Sequence, residues 1–190
     1  MLGSHAMFFE LQNTPDVPIS LEDAKAYLRV DTAKDDLVIT DMIHAATEWG
    51  ELYCSRDFSN KEWIGYFDEL CVTNTEPAPF VSLNKSPVTS VASVEISSGG
   101  TLSATNNFIR KRRSSYDRLL FSDSVAIDDS VAYTIVVNFT SGYTHLPYAL
   151  RSCLLQHIAF LYENRGDAPS EPTEQIKDMY NEFRHIGGYA

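Results

Sequence analysis

The chain has 190 residues, 44% hydrophobic and 22% charged, the profile of one globular domain or one domain with a sizeable insertion. Roughly 70% of the unfolded surface can be buried at this length, and no apolar run approaches the roughly 20 residues of a bilayer span, so a soluble protein without membrane contact is expected. A formal net charge of −11 repels polyanions at long range and argues against chain-wide nucleic-acid binding.

Residues 1–7, "MLGSHAM", have the look of a tag remnant and cloning scar, and no signal peptide follows them. Cys54, Cys71 and Cys153 are widely spaced and form no CxxC pair, which points away from a disulfide framework or a zinc site and suits a reducing cytoplasm. The sequons at Asn84 and Asn138 carry no weight without a secretory signal.

In chain order, Ser20 is the expected N-cap of a first helix, from about Leu21 to Arg29, with Glu22 and Asp23 complementing the helix dipole in its first turn. A longer helix is expected from about Asp35 to Cys54. Its predicted apolar stripe is Leu37, Val38, Met42, Ala45, Ala46, Trp49, Leu52 and Tyr53. The short link between the two predicts an antiparallel helical hairpin. From Trp63 to Tyr143 the pattern changes to alternation and β-branched residues, broken by clusters such as Glu76-Pro77-Ala78-Pro79 and Ser98-Gly99-Gly100. About five or six antiparallel strands are expected there. Pro147 then starts a third helix through Leu150, Cys153, Leu154, His157, Ile158, Leu161 and Tyr162, with Arg165 as a last-turn cation and Gly166 as a left-handed terminator. On this reading Arg165-Gly166-Asp167 is a helix end and not a recognition loop. A final helix is expected after Ser170 and Pro172, with Ile176, Met179, Tyr180, Phe183 and Ile186 as its stripe and Gly187-Gly188 as its stop; it either packs on its own domain or projects toward a neighbour.

Phosphate-loop, dinucleotide-binding, HExxH and GxSxG motifs are absent from the sequence. Asp41, His44 and Glu48 share one face of the long helix, the spacing a metal site would use, but a solvated polar face is the more economical reading. His157, on the apolar stripe of its helix, reads as a packed histidine before it reads as a catalytic base. The strongest electrostatic feature is "IRKRRSSYDR", residues 109–118. Its five basic residues, Arg110, Lys111, Arg112, Arg113 and Arg118, against one acid give +4, leaving −15 for the rest of a chain whose total is −11. This patch either touches passing DNA phosphates or keeps a hairpin soluble and binds acids on a neighbouring copy; the second reading is preferred because the surrounding acidity weakens attraction to DNA.

Four stretches in this order, "ISLEDAKAYLRVD", "DDLVITDMIHAATEWGELYCSRDF", "LNKSPVTSVASVEI" and "FTSGYTHLPYALRSCLLQHIAFLYENRGD", together resemble the tailed-bacteriophage head-tail connector (adaptor) family over about residues 19–167. Leu21, Ala24, Leu28 and Val30 match its first helix, Ala45, Ala46 and Glu48 its second, and Pro147, Leu150, Arg151, Leu161, Tyr162 and Arg165 its third. The segment around the basic patch is more basic than the family pattern. The resemblance implies a structural virion or prophage protein, made in the bacterial cytoplasm, with no catalysis and no cofactor or metal. Its copies would form a ring of about a dozen subunits joining the portal to a tail-side completion protein, with the genome passing through without sequence-specific binding.

The expected fold class is α+β: a helical bundle body of residues 8–56 and 147–190, and an antiparallel β-rich insertion, residues 57–146, between the second and third helices. Two other functions remain open at this stage, a DNA-binding regulator using residues 110–118 and a small hydrolase using His44 or His157.

Overall fold

Ser20 lies in extended backbone and its hydroxyl accepts the amide of Asp23 at 3.1 Å, so the first helix, α1 (Leu21–Leu28), starts at the expected cap. The structure is a computed structural model that describes residues 7–68, 70–73, 76–98, 102–112, 116–121, 133–166 and 171–184. Three further helices are α2 (Asp36–Cys54), α3 (Tyr148–Glu163) and α4 (Glu174–Asn181). Arg29 and Ser55 end α1 and α2 in the left-handed conformation, with φ of 58° and 53°, returning amides to the last carbonyls in the way glycine more often does.

Nine strands are present among the described residues, more than the five or six expected, and every pairing is antiparallel. They are β1 (Met7–Leu11), β2 (Lys61–Phe67), β3 (Cys71–Thr73), β4 (Glu76–Leu83), β5 (Val88–Ser98), β6 (Leu102–Ala104), β7 (Phe108–Lys111), β8 (Asp117–Phe121) and β9 (Tyr133–Ser141). One sheet has the order β1-β2-β9-β5-β6 and the other β3-β4-β8-β7. The molecule is therefore α+β. Glu76-Pro77-Ala78-Pro79, expected as a breaker, instead opens β4. The register between β3 and β4 is irregular there, which suits residues that lack an amide hydrogen, and pairing with β8 begins only at Phe80. Gly99 and Gly100 of the expected turn before β6 lie outside the described residues.

Contacts divide the chain into two compact units, Met1–Thr14 with Asn60–Gly142 and Pro15–Ser59 with Tyr143–Ala190. Residues 8–14, expected in the helical body, belong with the sheets because Met7 to Leu11 pair in register with Phe67 to Trp63 of β2. Met7, expected as the last residue of the tag remnant, is thus the first residue of a strand.

In the sheet unit, alternate residues of both sheets face a common core. Trp63 and Phe67 of β2, Val94 of β5 and Ile135, Val137 and Phe139 of β9 meet Val81 and Leu83 of β4 and Leu119 and Phe121 of β8. Trp63, one of the bulkiest of these, has a polar handle, and its indole Nε1 donates to Ser141 Oγ at 2.9 Å.

In the helical unit, Ala24 of α1, Ile39, Ile43 and Ala46 of α2, Leu150, Leu154 and Ile158 of α3, and Ile176 and Tyr180 of α4 share a second core. The final helix thus packs on its own unit. Thr173 caps it, its hydroxyl accepting the amide of Ile176 at 3.4 Å; the cap expected at Ser170 lies outside the described residues, as do Ile186, Gly187 and Gly188. Among the described residues no helix is long and apolar enough to cross a membrane.

The stripe expected on α2 is corrected. The buried residues are Ile39, Ile43, Ala46, Thr47, Gly50 and Cys54, while Leu37, Val38, Ala45 and Leu52 face solvent. The buried set repeats every three or four residues, while the exposed residues, about one heptad apart, line a different face that the core does not reach.

The end of α3 also departs from expectation. Asn164 caps it, its amide and side-chain Nδ2 both donating to the Phe160 carbonyl at 3.2 and 2.8 Å, and Gly166 is not left-handed. Arg165 lies past the helix end, with its guanidinium 4.3 Å over the Tyr162 ring and 3.9 Å from Asp35, whose carboxylate accepts the Tyr162 hydroxyl at 2.6 Å. The arginine of the RGD tripeptide is engaged within its own unit; Asp167 lies outside the described residues.

Candidate functional site

Alternation along β7 divides the basic patch between two faces. Phe108 and Arg110 turn inward while Ile109 and Lys111 turn outward. Arg110 is consumed internally. Its Nε donates to Asp117 Oδ2 at 2.6 Å, Nη1 donates to the Thr89 carbonyl at 3.1 Å, and Nη2 donates to the Val88 carbonyl. One planar fork thereby ties β7 to the start of β8 and to β5, a strand of the other sheet, and Asp117 is buried beneath it.

Arg118 is half-buried. Its guanidinium lies 4.2 Å above the Phe80 ring and 5.3 Å from the Tyr116 ring, and Nη2 donates to the Tyr116 hydroxyl at 2.8 Å. Lys111 and Arg112 are exposed, and Arg113 lies outside the described residues. Of the five basic residues, Arg110 and Arg118 therefore serve the sheet unit itself. The outer face also carries Ile109, paired directly with Leu120, and Lys111, paired with Arg118. The result is an apolar centre with a cationic rim, a form suited to an acidic protein surface.

His44 and His157 lie in unlike settings. Asp41, His44 and Glu48 lie exposed along α2, and among the described residues no group of three His, Cys, Asp or Glu is placed to hold a metal. His157 is buried, edge-on to Trp49 at 5.4 Å, with Nδ1 3.2 Å from the Tyr180 hydroxyl. Burial lowers its pKa to about 4, so it is neutral at pH 7. The same burial pushes the thiols of Cys54 and Cys153 up to about 12 and raises the Tyr180 phenol, so neither thiol is a nucleophile near neutral pH. This cluster is a packed seam between α2, α3 and α4.

Other polar contacts join helices. Arg151 of α3 meets Asp23 of α1 at 2.9 Å, Lys25 of α1 meets Asp36 of α2 at 2.5 Å, and the Tyr53 hydroxyl donates to Asn181 Oδ1 at 2.8 Å. Hydrogen bonds from Ser20 and Arg151 hold the Asp23 carboxyl below its usual range. Sequence reasoning missed the outward apolar face of α2. Its signal was the second periodic set, Ile39, Ile43, Thr47, Gly50 and Cys54, which left Leu37 and Leu52 without a place inside.

Comparison with known proteins bears on the whole arrangement. Residues 18–97 match the family described as phage gp6-like head-tail connector proteins. No curated protein matches the chain in sequence. Among solved structures, a chain from the neck of an empty gene transfer agent particle computed with C6 symmetry aligns with a TM-score of 0.70 at 14% identity, covering 94% of this chain and 97% of that one. A chain from the virion of a native gene transfer agent particle aligns at 0.70 and 13% identity over 95% and 96% of the two chains. Another, from the neck of the native particle computed with C12 symmetry, aligns at 0.63 and 14% identity over 94% and 97%. At these identities the likeness establishes a shared fold over nearly the full length of both chains.

Proposed function

With residues 18–97 carrying the phage gp6-like head-tail connector pattern, we propose that the protein is a structural adaptor of a virion or prophage-encoded particle, a ring joining the portal of the head to the tail. The observation that carries this reading is the coincidence of that family match with a fold shared, over 94% of the chain, with a chain from a particle neck. The mechanism is geometric. Each subunit presents two different side surfaces, and one heterologous contact repeated about an axis closes into a ring, here of about a dozen subunits. The portal lies on one side and a tail-side completion protein on the other. DNA passes through without sequence-specific contact, in keeping with a net charge of −11.

The role requires no catalysis, and the placement of His44 and His157 supports that. The engagement of Arg110 with Asp117 likewise weighs against a DNA-binding regulator, since the first arginine of the patch is not offered to phosphates. Synthesis in the bacterial cytoplasm and residence in the virion belong to the same proposal.

Mass measurement of the purified chain alone and with assembled portal tests the proposal. The expected result is a closed ring, formed either by the chain alone or on the portal template. A stable two-fold dimer under both conditions, with no portal association, would overturn it.

A further inference from the structure

The five-stranded sheet ends in two strands that have one neighbour each among the described residues, β1 beside β2 and β6 beside β5. Neither carries a Pro or a Lys of the kind that blunts an open edge, and Met7, Phe8 and Leu11 of β1 and Leu102 of β6 are exposed. Every pairing in between is antiparallel, so across the five strands β1 and β6 run the same way.

The ladders fix which backbone groups face outward. The Gln12 amide donates to the Glu62 carbonyl at 2.8 Å, and bonded pairs alternate along an antiparallel ladder. Phe8 and Glu10 therefore bond to β2, while Met7, Phe9 and Leu11 turn amide and carbonyl to the open edge. By the same alternation the Thr105 amide, donating to the Val94 carbonyl at 2.9 Å, leaves Leu102 and Ala104 facing outward from β6. Phe9 packs into the core and Phe8 stands on the opposite face; Ser103, across from core-facing Ile96, and Leu102 divide likewise.

We propose that this sheet continues from one copy of the chain to the next, β1 of one pairing in parallel with β6 of the other. In a parallel pair, a residue whose backbone groups face the partner strand stands opposite one whose groups face away. Phe9 opposite Ser103 meets that rule and keeps the core face continuous. It also sets Phe8, 61% exposed, beside Leu102, 47% exposed, on the outer face, and Glu10 beside Ala104. The outward amides and carbonyls require an extended strand, and this chain supplies both edges of the match. A full-length two-fold pairing of β1 with β1 would set Phe8 against Glu10 and leave β6 open. The two edges differ, so the contact is heterologous and repeats about an axis. The inference rests on the ring-adaptor reading and names its subunit contact.

The test uses the full chain carrying Cys71→Ser, Phe8→Cys and Leu102→Cys, oxidised by copper–phenanthroline in air, both alone and on assembled portal. Within one copy the two sites lie four strand spacings apart, about 19 Å, too far for a disulfide. The expected result is a ladder of covalent multimers beyond the dimer, about ten-fold more abundant than in a control chain with Phe8→Cys and Ile109→Cys. Either cysteine alone yields no cross-link. Adding Leu11→Pro, which removes an amide facing the edge but no bond to β2, cuts the ladder about ten-fold, whereas Leu11→Val keeps it. A dimer from Phe8→Cys alone, a ladder no stronger than the control, or a ladder indifferent to Leu11→Pro overturns the inference. If the unmodified chain still forms rings in that case, the adaptor reading survives and only this contact fails. A chain that neither forms rings nor binds portal defeats the adaptor reading independently of the cross-link.

Discussion

Nδ1 of His157 and the hydroxyl of Tyr180 meet at 3.2 Å inside the helical unit, joining α3 to α4 where neither ring reaches solvent. The histidine enters this core neutral, and its pKa of about 4 lies below the value of 6.5 for an unhindered imidazole. The unfolded chain therefore binds the proton that the folded chain refuses. The stability due to neutral His157 is fully present above pH 6.5 and is lost as pH falls toward 4. Between pH 7.5 and 5 the loss is about 2 kcal/mol. Urea denaturation at the two pH values measures it, and His157→Gln flattens the difference.

Gly50 of α2 faces Phe58 and, on α4, Tyr180. A Cβ at this position would sit 2.7 Å from Phe58 Cε2 and 2.9 Å from Tyr180 Cε1, two rings that are themselves stacked with centroids 6.3 Å apart. Both rings are buried and have little freedom to yield. Gly50→Ala gains about 1 kcal/mol of helix propensity but loses about 2–3 kcal/mol to overpacking. A lower melting temperature is expected, whereas an ordinary mid-helix glycine would give a higher one.

Arg110 and Arg112 lie two residues apart in the same basic run, yet their substitution has different consequences. Arg110→Ala strands the buried Asp117 carboxylate and two carbonyls, costing about 3 kcal/mol. Arg110→Lys recovers little of this, because one ammonium cannot reproduce the fork. Arg112→Ala leaves thermal stability within about 0.5 kcal/mol, as expected of an exposed cation. Denaturation of the three variants checks the ordering.

Ser55 ends α2 with φ of 53° and is exposed, so its side chain adds backbone strain without making up for it through packing. Ser55→Gly is expected to stabilise the protein by about 0.5–1 kcal/mol, visible as a raised melting temperature.

Local rules made much of the helical unit legible. The Ser20 cap bonding Asp23, the start of α3 just after Pro147 and the end of α2 at Cys54 all follow from interactions within a few residues. The same reach explains the change of texture after Trp63, since alternation is a property of the strand itself. The basic run was equally plain as a concentration of charge.

What the local rules could not decide was which of two options a segment uses. Leu37 and Leu52 satisfy helical periodicity as well as Ile39 and Ile43 do; only the positions of α1, α3 and α4 select the inward face. Met7–Leu11 has no partner within fifty residues, so its strand exists only because β2 offers an edge. Arg110 became structural because the pleat turns its side chain toward Asp117 and the carbonyls of β5, whereas Arg112 lies past the end of β7 and stays exposed. Sequence alone determined the helices, the alternating texture of the middle region and the charge, since these depend on near neighbours along the chain. Tertiary structure decided the faces, since burial depends on what distant segments bring to the other side.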